Sequence, residues 1–383
     1  MATSSRFQVY VLAFCATLLI QSGCYGYSVH QRKHAALFIF GGSTFDVGNN
    51  NYINTYNYFK ANFFPYGETF FSHPTGRFSD GRLISDIIAE YADLPMIPPY
   101  LQPGFDNYTN GVNFASAGAG ALAETNQGFV LDLKTQLGYF KNVEKQLRHR
   151  LGEAEAHTLL SQAVYLIAIG TNDYLAFITN SSLSESRSHE EYVGMVTGNI
   201  TNVIKEIYKK GGRKFGIKGI ENLGCTPGLR TGRPGNTSTC NEEVNAISKL
   251  HNRVLAKVLE ELKGQLQDFL YSNPNFYSYA NDVVNNPSKH GFKEGKMACC
   301  GSGPYRGYSS CGGKRGGITE YQLCDNVTDY VYFDSGHPTE RYNQKLSKLW
   351  WSHTPDVTAR YINLKELFEV SNKNWDTSYV PVI

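Results

Sequence analysis

Four short segments of this 383-residue chain carry the residue types that nucleophilic chemistry needs. The first, Gly41-Gly42-Ser43-Thr44-Phe45-Asp46-Val47-Gly48-Asn49-Asn50, sets a serine in a glycine turn behind an apolar run. A hydroxyl exposed there, near a helix N-terminus, sits where backbone N–H groups favour negative charge. The same serine is also a good helix N-cap, and a Gly-x-Ser-x-Gly nucleophile elbow is absent from the chain. The second segment runs Gly111-Val112-Asn113-Phe114-Ala115-Ser116-Ala117-Gly118-Ala119-Gly120, and the third Gly170-Thr171-Asn172-Asp173-Tyr174. The fourth, Asp334-Ser335-Gly336-His337-Pro338-Thr339-Glu340, brings a carboxylate and an imidazole three residues apart. Singly, each has an ordinary reading: a turn asparagine at 172, a surface histidine before proline at 337.

The surrounding pattern says what would position them. Residues 35–40 (AALFIF) and 163–169 (AVYLIAI) are short apolar runs suited to buried strands, and 214–220 (KFGIKGI) and 276–280 (FYSYA) are weaker strand candidates. Helical spacing covers 82–91, with Leu83, Ile84, Ile87, Ile88 and Tyr91 on one face, then 193–209 and 242–270. Strands alternating with helices predict an α/β fold, a parallel sheet covered on both faces. Chemistry in such sheets lies beyond the carboxyl ends of the strands, where the first and third segments fall.

The N-terminus reads as a signal peptide over residues 1–26. Arg6 precedes an apolar run, 9–20, that is too short to span a membrane, and small residues at Cys24 and Gly26 suit a cleavage site. Residues 27–383 are then expected as one domain, since no linker, repeat or low-complexity run divides them. Cys15 and Cys24 fall in the leader. The remaining six, Cys225, Cys240, Cys299, Cys300, Cys311 and Cys324, are expected as disulfides; fifteen connectivities are open, with Cys225–Cys240 the best single pair because a Pro- and Gly-rich loop separates them. Neither paired C-x-x-C nor H-E-x-x-H is present, so no metal is expected, and His30 with His34 reads as two exposed histidines. Sequons at Asn107, Asn180, Asn199, Asn236 and Asn326 point to glycosylation of an exported protein, in the extracellular space, apoplast or vacuole. A net charge of +2 with no basic patch argues against a nucleic-acid partner.

Taken in order, the four segments resemble the blocks of the GDSL esterases and lipases, the SGNH hydrolases, and specifically their large plant branch. Phe64-Pro65-Tyr66-Gly67, the stretch Pro74-Thr75-Gly76-Arg77-Phe78-Ser79-Asp80-Gly81-Arg82, and Ala298-Cys299-Cys300-Gly301 are similar to that branch too. The resemblance covers nearly all of the chain behind the leader. It implies a three-layer α/β/α sandwich, similar to flavodoxin, with Ser43 as nucleophile, His337 as base and Asp334 as its orienting acid. It also implies that the Gly118 N–H and the Asn172 amide form an oxyanion hole with the Ser43 N–H. The chemistry requires these types: a serine hydroxyl needs a base within reach, the base needs an orienting partner, and the carbonyl oxygen needs fixed donors as it gains charge. Asp46 and Asp173 are read as loop hydrogen-bonding residues.

One position departs from the family name. Gly41-Gly42-Ser43-Thr44 stands where Gly-Asp-Ser-Leu would, so the aspartate before the serine is missing, and Ala117 replaces a common glycine. Three functional readings follow: a carboxylic ester hydrolase acting on a lipid or plant specialised-metabolite ester, an acyltransferase passing the acyl group to an alcohol acceptor, and a non-catalytic secreted binding protein. No cofactor is expected. The G-x-G-x-x-A pattern at residues 118–123 would suit a dinucleotide only if it opened a helix, and 124–128 reads as a turn.

Overall fold

Alternate residues of the first strand, β1 (Leu37–Gly41), face opposite ways, and all are apolar because helices cover the sheet on both sides. The computed structural model describes residues 35–231, 239–313, 317–352 and 362–370. The expected leader 1–26, with Cys15 and Cys24, and also His30, His34 and the Asn236 sequon lie outside them. The described residues belong to one compact unit, 34–383.

Four further strands pair in parallel with β1 or its neighbours: β2 (Gly111–Asn113), β3 (Val164–Ala168), β4 (Lys214–Ile217) and β5 (Leu270–Ser272), in the order β2-β1-β3-β4-β5. That is the flavodoxin-like order, in which the winding reverses between β1 and β3 and opens a crevice at their carboxyl ends. Phe38, Tyr165 and Phe215 sit opposite one another on β1, β3 and β4 and stack at 5.5 and 5.4 Å. A one-residue slip would turn each ring to the wrong face, so the stack fixes the register.

The layers follow from the alternation. Phe38, Phe40, Tyr165 and Ile167 pack against α2 (Leu133–Leu151), α3 (Glu153–Gln162), α5 (His189–Lys209) and α6 (Glu242–Gln265). Leu37, Ile39, Val164 and Leu166 pack against α1 (Ile84–Tyr91), α7 (Phe276–Asn285) and α8 (Glu340–Ser352). A shorter helix, α4 (Thr171–Thr179), follows β3 directly. The architecture is a three-layer α/β/α sandwich.

Two expectations are corrected. Residues 276–280 begin a helix, not a strand: Asn275 accepts from the Ser278 N–H as N-cap, and buried Phe276, Ala280, Val283 and Val284 recur at helical spacing that a five-residue window hides. The helix expected over 242–270 stops at Gln265, and Leu270 instead opens β5.

Disulfides join Cys225–Cys240, Cys299–Cys324 and Cys300–Cys311. The last two anchor the strand beside the Asp334 turn, since the Cys299 and Cys300 N–H groups donate to the Tyr332 and Phe333 carbonyls. Among the described residues no helix is long and apolar enough to cross a membrane.

Candidate active site

The turn behind β1 is set by Gly41. Its φ is +152°, and a Cβ there would stand 2.3 Å from the Ala168 carbonyl oxygen of β3, so only glycine allows the two strand ends to approach. Buried Gln136 on α2 clamps the same peptide: its Nε2 donates to the Gly41 carbonyl and its Oε1 accepts from the Gly41 N–H, each at 2.9 Å. Ser43 then projects from the end of β1 into the crevice, half-buried.

Ser43 Oγ lies 2.8 Å from His337 Nε2, across 294 residues of sequence. His337 Nδ1 is 2.8 Å from Asp334 Oδ1 and 2.9 Å from Oδ2. A carboxylate only accepts, so Nδ1 carries the proton and Nε2 is left to accept from the serine hydroxyl. Asp334 is 2% exposed and its Oδ1 also accepts from the Gly336 and His337 N–H groups, which closes the turn on itself. The Phe78 ring covers the imidazole, with centroids 4.6 Å apart.

Gly118, Asn172, Ser43 and His337 line one cleft. Gly118 has φ +83°, and a Cβ there would strike the Phe59 ring at 2.4 Å. The N–H groups of Ser43 and Gly118 donate to no acceptor among the described residues. Asn172 Nδ2 donates one proton to the Ala119 carbonyl at 2.9 Å, which orients the amide while a second N–H remains. Asn126 Nδ2 holds the Gly118 carbonyl at 2.8 Å.

Two buried carboxylates fix this loop from behind. Asp46 accepts from the N–H groups of Gly48, Asn49 and Ala117, and Asp173 from those of Ala121 and Leu122 and from the Thr125 hydroxyl. Burial outweighs these donors and pushes both carboxyls up to about 6. Their geometry is that of loop ties, as their positions suggested. Residues 118–123 run into turns with no helix behind them, so the dinucleotide pattern is not a fingerprint.

The cleft holds about 450 Å³ and is walled by Tyr58, Phe59, Leu175, Ala176, Leu223 and Leu229, with no Asp, Glu, Lys or Arg among its described lining. A larger groove of about 720 Å³, lined by Tyr52, Pro98, Phe105 and Asn107 among others, contains none of Ser43, Asp334 and His337. Chemistry therefore points to the smaller one. Among the described residues no cluster of three metal-ligating side chains occurs. The sequon residues Asn107, Asn180, Asn199 and Asn326 are all exposed; Asn107 and Asn326 accept from the hydroxyls of Thr109 and Thr328, while Asn199 lies within α5.

Gln136, Tyr66, Phe78 and Asn126 have no role that their residue types or spacing announce in the sequence. Tyr66 and Phe78 do lie in the two stretches that resemble the plant branch, which was the available signal. Gln136 had none.

A flavodoxin-ordered sheet with serine, imidazole and carboxylate in hydrogen-bonded sequence at its switch point is the framework of a serine hydrolase. The family model for GDSL-like lipases and acylhydrolases matches residues 37–350. A GDSL lipase of Tanacetum cinerariifolium is 48% identical over 382 residues, covering 100% of this chain and 99% of its own. GDSL esterase/lipase 1 of Arabidopsis thaliana is 50% identical over 342 residues, covering 88% and 91%, and GDSL esterase/lipase 5 of the same plant is 50% identical over 341 residues, covering 88% of each. The chain belongs to the GDSL lipase and acylhydrolase family, and it is an enzyme of the esterase and lipase class that acts on ester bonds.

Proposed function

We propose that the protein is a secreted serine ester hydrolase whose nucleophile is Ser43, acting on an apolar lipid or specialised-metabolite ester through an acyl-enzyme. The 2.8 Å contact between Ser43 Oγ and His337 Nε2, with Asp334 on the other ring nitrogen, carries this reading. Ser43 Oγ attacks the ester carbonyl carbon as its proton passes to Nε2. The oxyanion takes the N–H groups of Ser43 and Gly118 and the free amide proton of Asn172. His337 then returns the proton to the leaving alcohol, and water, activated by the same nitrogen, releases the acid. Export behind a 26-residue leader, a single domain over 27–383, and glycosylation at exposed Asn107, Asn180, Asn199 and Asn326 belong to the same proposal. Incubating the purified protein with a panel of acyl esters, with and without alcohol acceptors, and reading products by mass spectrometry tests it. An organophosphonate that labels nothing would favour the non-catalytic reading.

Asn172→Ala is expected to lower kcat by about 10² to 10³ with KM little changed, because its amide serves the charge that develops only in the transition state. Steady-state kinetics on one good ester decide. A loss below about threefold would remove Asn172 from the oxyanion hole.

Transfer to an alcohol is the second reading, and Gly42 is what favours it. No side chain fills the cleft floor there: a Cβ on Gly42 would lie 3.2 Å from Asn172 Nδ2 and 3.6 Å from the Ala119 carbonyl oxygen. The backbone at 42, unlike that at 41, is not left-handed, so a side chain there strains no backbone angle, though the Asn172 amide at 3.2 Å must give way by a few tenths of an ångström. Gly42→Asp is expected to raise the ratio of hydrolysis to alcohol transfer by about tenfold, since a carboxylate beside the acyl-enzyme takes the acceptor's room and draws water. Gly42→Ala separates bulk from charge. Unchanged product ratios in both variants, at unchanged melting temperature, would show that position 42 has no bearing on the acceptor.

A further inference from the structure

We infer that Tyr66 is a positioning residue, acting through Asp334 to fix the carboxylate that orients His337. The inference rests on the proposed roles of Ser43, His337 and Asp334. Tyr66 is fully buried, and its hydroxyl donates to Asp334 Oδ2 at 2.6 Å, across 268 residues of sequence. The division of labour on Asp334 is what gives this contact meaning. Oδ1 takes the Gly336 and His337 backbone N–H groups, which lie within its own turn, whereas the Tyr66 hydroxyl reaches Oδ2 from a different part of the chain. The backbone of its own turn reaches one end of the carboxylate; at the other end the Tyr66 hydroxyl joins His337 Nδ1.

The ring is itself held. It meets Phe63, Phe78 and Phe333 edge-on, with centroids 5.6, 5.8 and 5.3 Å away, and the Tyr66 N–H donates to the Phe63 carbonyl. Phe78 in turn covers the His337 ring, so one aromatic cluster braces both members of the Asp–His pair. Core packing accounts for the ring but not for the hydroxyl, which phenylalanine would lack at equal shape. A buried tyrosine hydroxyl needs some partner. Here the hydroxyl meets the carboxylate that the imidazole also contacts.

Two consequences follow. A donor on Oδ2 stops the carboxylate from rotating out of the imidazole plane. It also spreads the negative charge, so the carboxylate holds an imidazolium less tightly than a bare one would. Without the hydroxyl the carboxylate is free to swing, and His337 is aimed less well at Ser43 Oγ. Other titratable groups on the adjoining segments are already engaged. Asp80 accepts from Thr69 and the Glu340 N–H, Glu340 is paired with Arg82, and Asp46 and Asp173 tie the loops described above.

Tyr66→Phe is expected to lower kcat by about tenfold, the usual weight of a hydrogen bond to a charged group, with KM unchanged. It should also move the acid limb of the kcat/KM profile toward higher pH, since the bare carboxylate holds the imidazolium more tightly. The far-downfield proton resonance of the His337 Nδ1–H should shift as well. A lower kcat with the pH profile and the resonance both unmoved would leave Tyr66 a packing residue and overturn the inference, as would unchanged kinetics. Should Tyr66→Phe fail to fold, 3,5-difluorotyrosine introduced at position 66 keeps the ring and strengthens the donor. The acid limb should then move toward lower pH, and a profile identical to the wild type would overturn the inference. Ser43→Ala assayed alongside keeps the two readings apart: full activity there sinks the nucleophile assignment itself, whereas lost activity there with a silent Tyr66→Phe sinks only the role of Tyr66.

Discussion

Ser43→Ala is expected to lower kcat/KM on any accepted ester by at least ~10³-fold and to abolish covalent labelling by an organophosphonate. Other hydroxyls line the cleft, so the expectation depends on none of them taking over. Ser335 is paired with Ser309 at 3.0 Å, and the Thr226 hydroxyl donates to the Leu223 carbonyl. Ser43 is the serine bonded to His337 Nε2, and no other hydroxyl is bonded to that nitrogen among the described residues. Without it the base has no proton to take and no acyl-enzyme can form. Some rate above that of water should persist, because the oxyanion donors and the cleft still bind a carbonyl while water attacks directly. Intact-mass analysis after phosphonate treatment gives the clearest answer. A full single adduct on the alanine variant would move the nucleophile elsewhere, and a rate loss under tenfold would say that acyl-enzyme formation is not the route.

The same cleft shows why some features could be read from sequence and others could not. β1 and β3 are continuous apolar runs of strand length, and no competing period obscures them. β2 is three residues with only Val112 to announce it, and its strand character comes from pairing with β1, which leaves no local trace. At residues 276–280 a two-residue alternation and a helical spacing coincide over five positions. The deciding signals were the cap at Asn275 and the apolar pair Val283 and Val284 beyond the window. Ser43, Asp334 and His337 stood out because their types are chemically reactive and their segments resemble a family's blocks. Gln136 and Tyr66 are chemically ordinary. Their importance lies in whom they touch, Gly41 at 95 residues' distance and Asp334 at 268, and no local pattern encodes such a pairing. Gly42 is a different case: sequence leaves the backbone of a glycine open, and the structure closes that freedom by giving the left-handed φ to Gly41.

His337→Ala is expected to cost about as much as Ser43→Ala, and Asp334→Asn somewhat less, on the order of 10²- to 10³-fold. The histidine carries the proton in both halves of the reaction, so its loss removes one function twice. Asparagine at 334 acts differently, through donors and acceptors. The Asp334 carboxylate accepts from four donors: the Gly336 and His337 N–H groups, the Tyr66 hydroxyl and His337 Nδ1. An amide has one accepting oxygen; kept on the two turn N–H groups, it leaves the NH₂ at the Oδ2 position, facing the tyrosine hydroxyl and the imidazole N–H. The tyrosine can turn its proton away. If the imidazole yields instead, it takes the other tautomer, with a proton on Nε2 facing Ser43, and can no longer accept from the serine. Asp334→Asn should therefore keep its fold and its KM while the phosphonate labelling rate falls with kcat. Near-normal turnover in His337→Ala would require another base within reach of Ser43, and no other imidazole or carboxylate lines that cleft among the described residues.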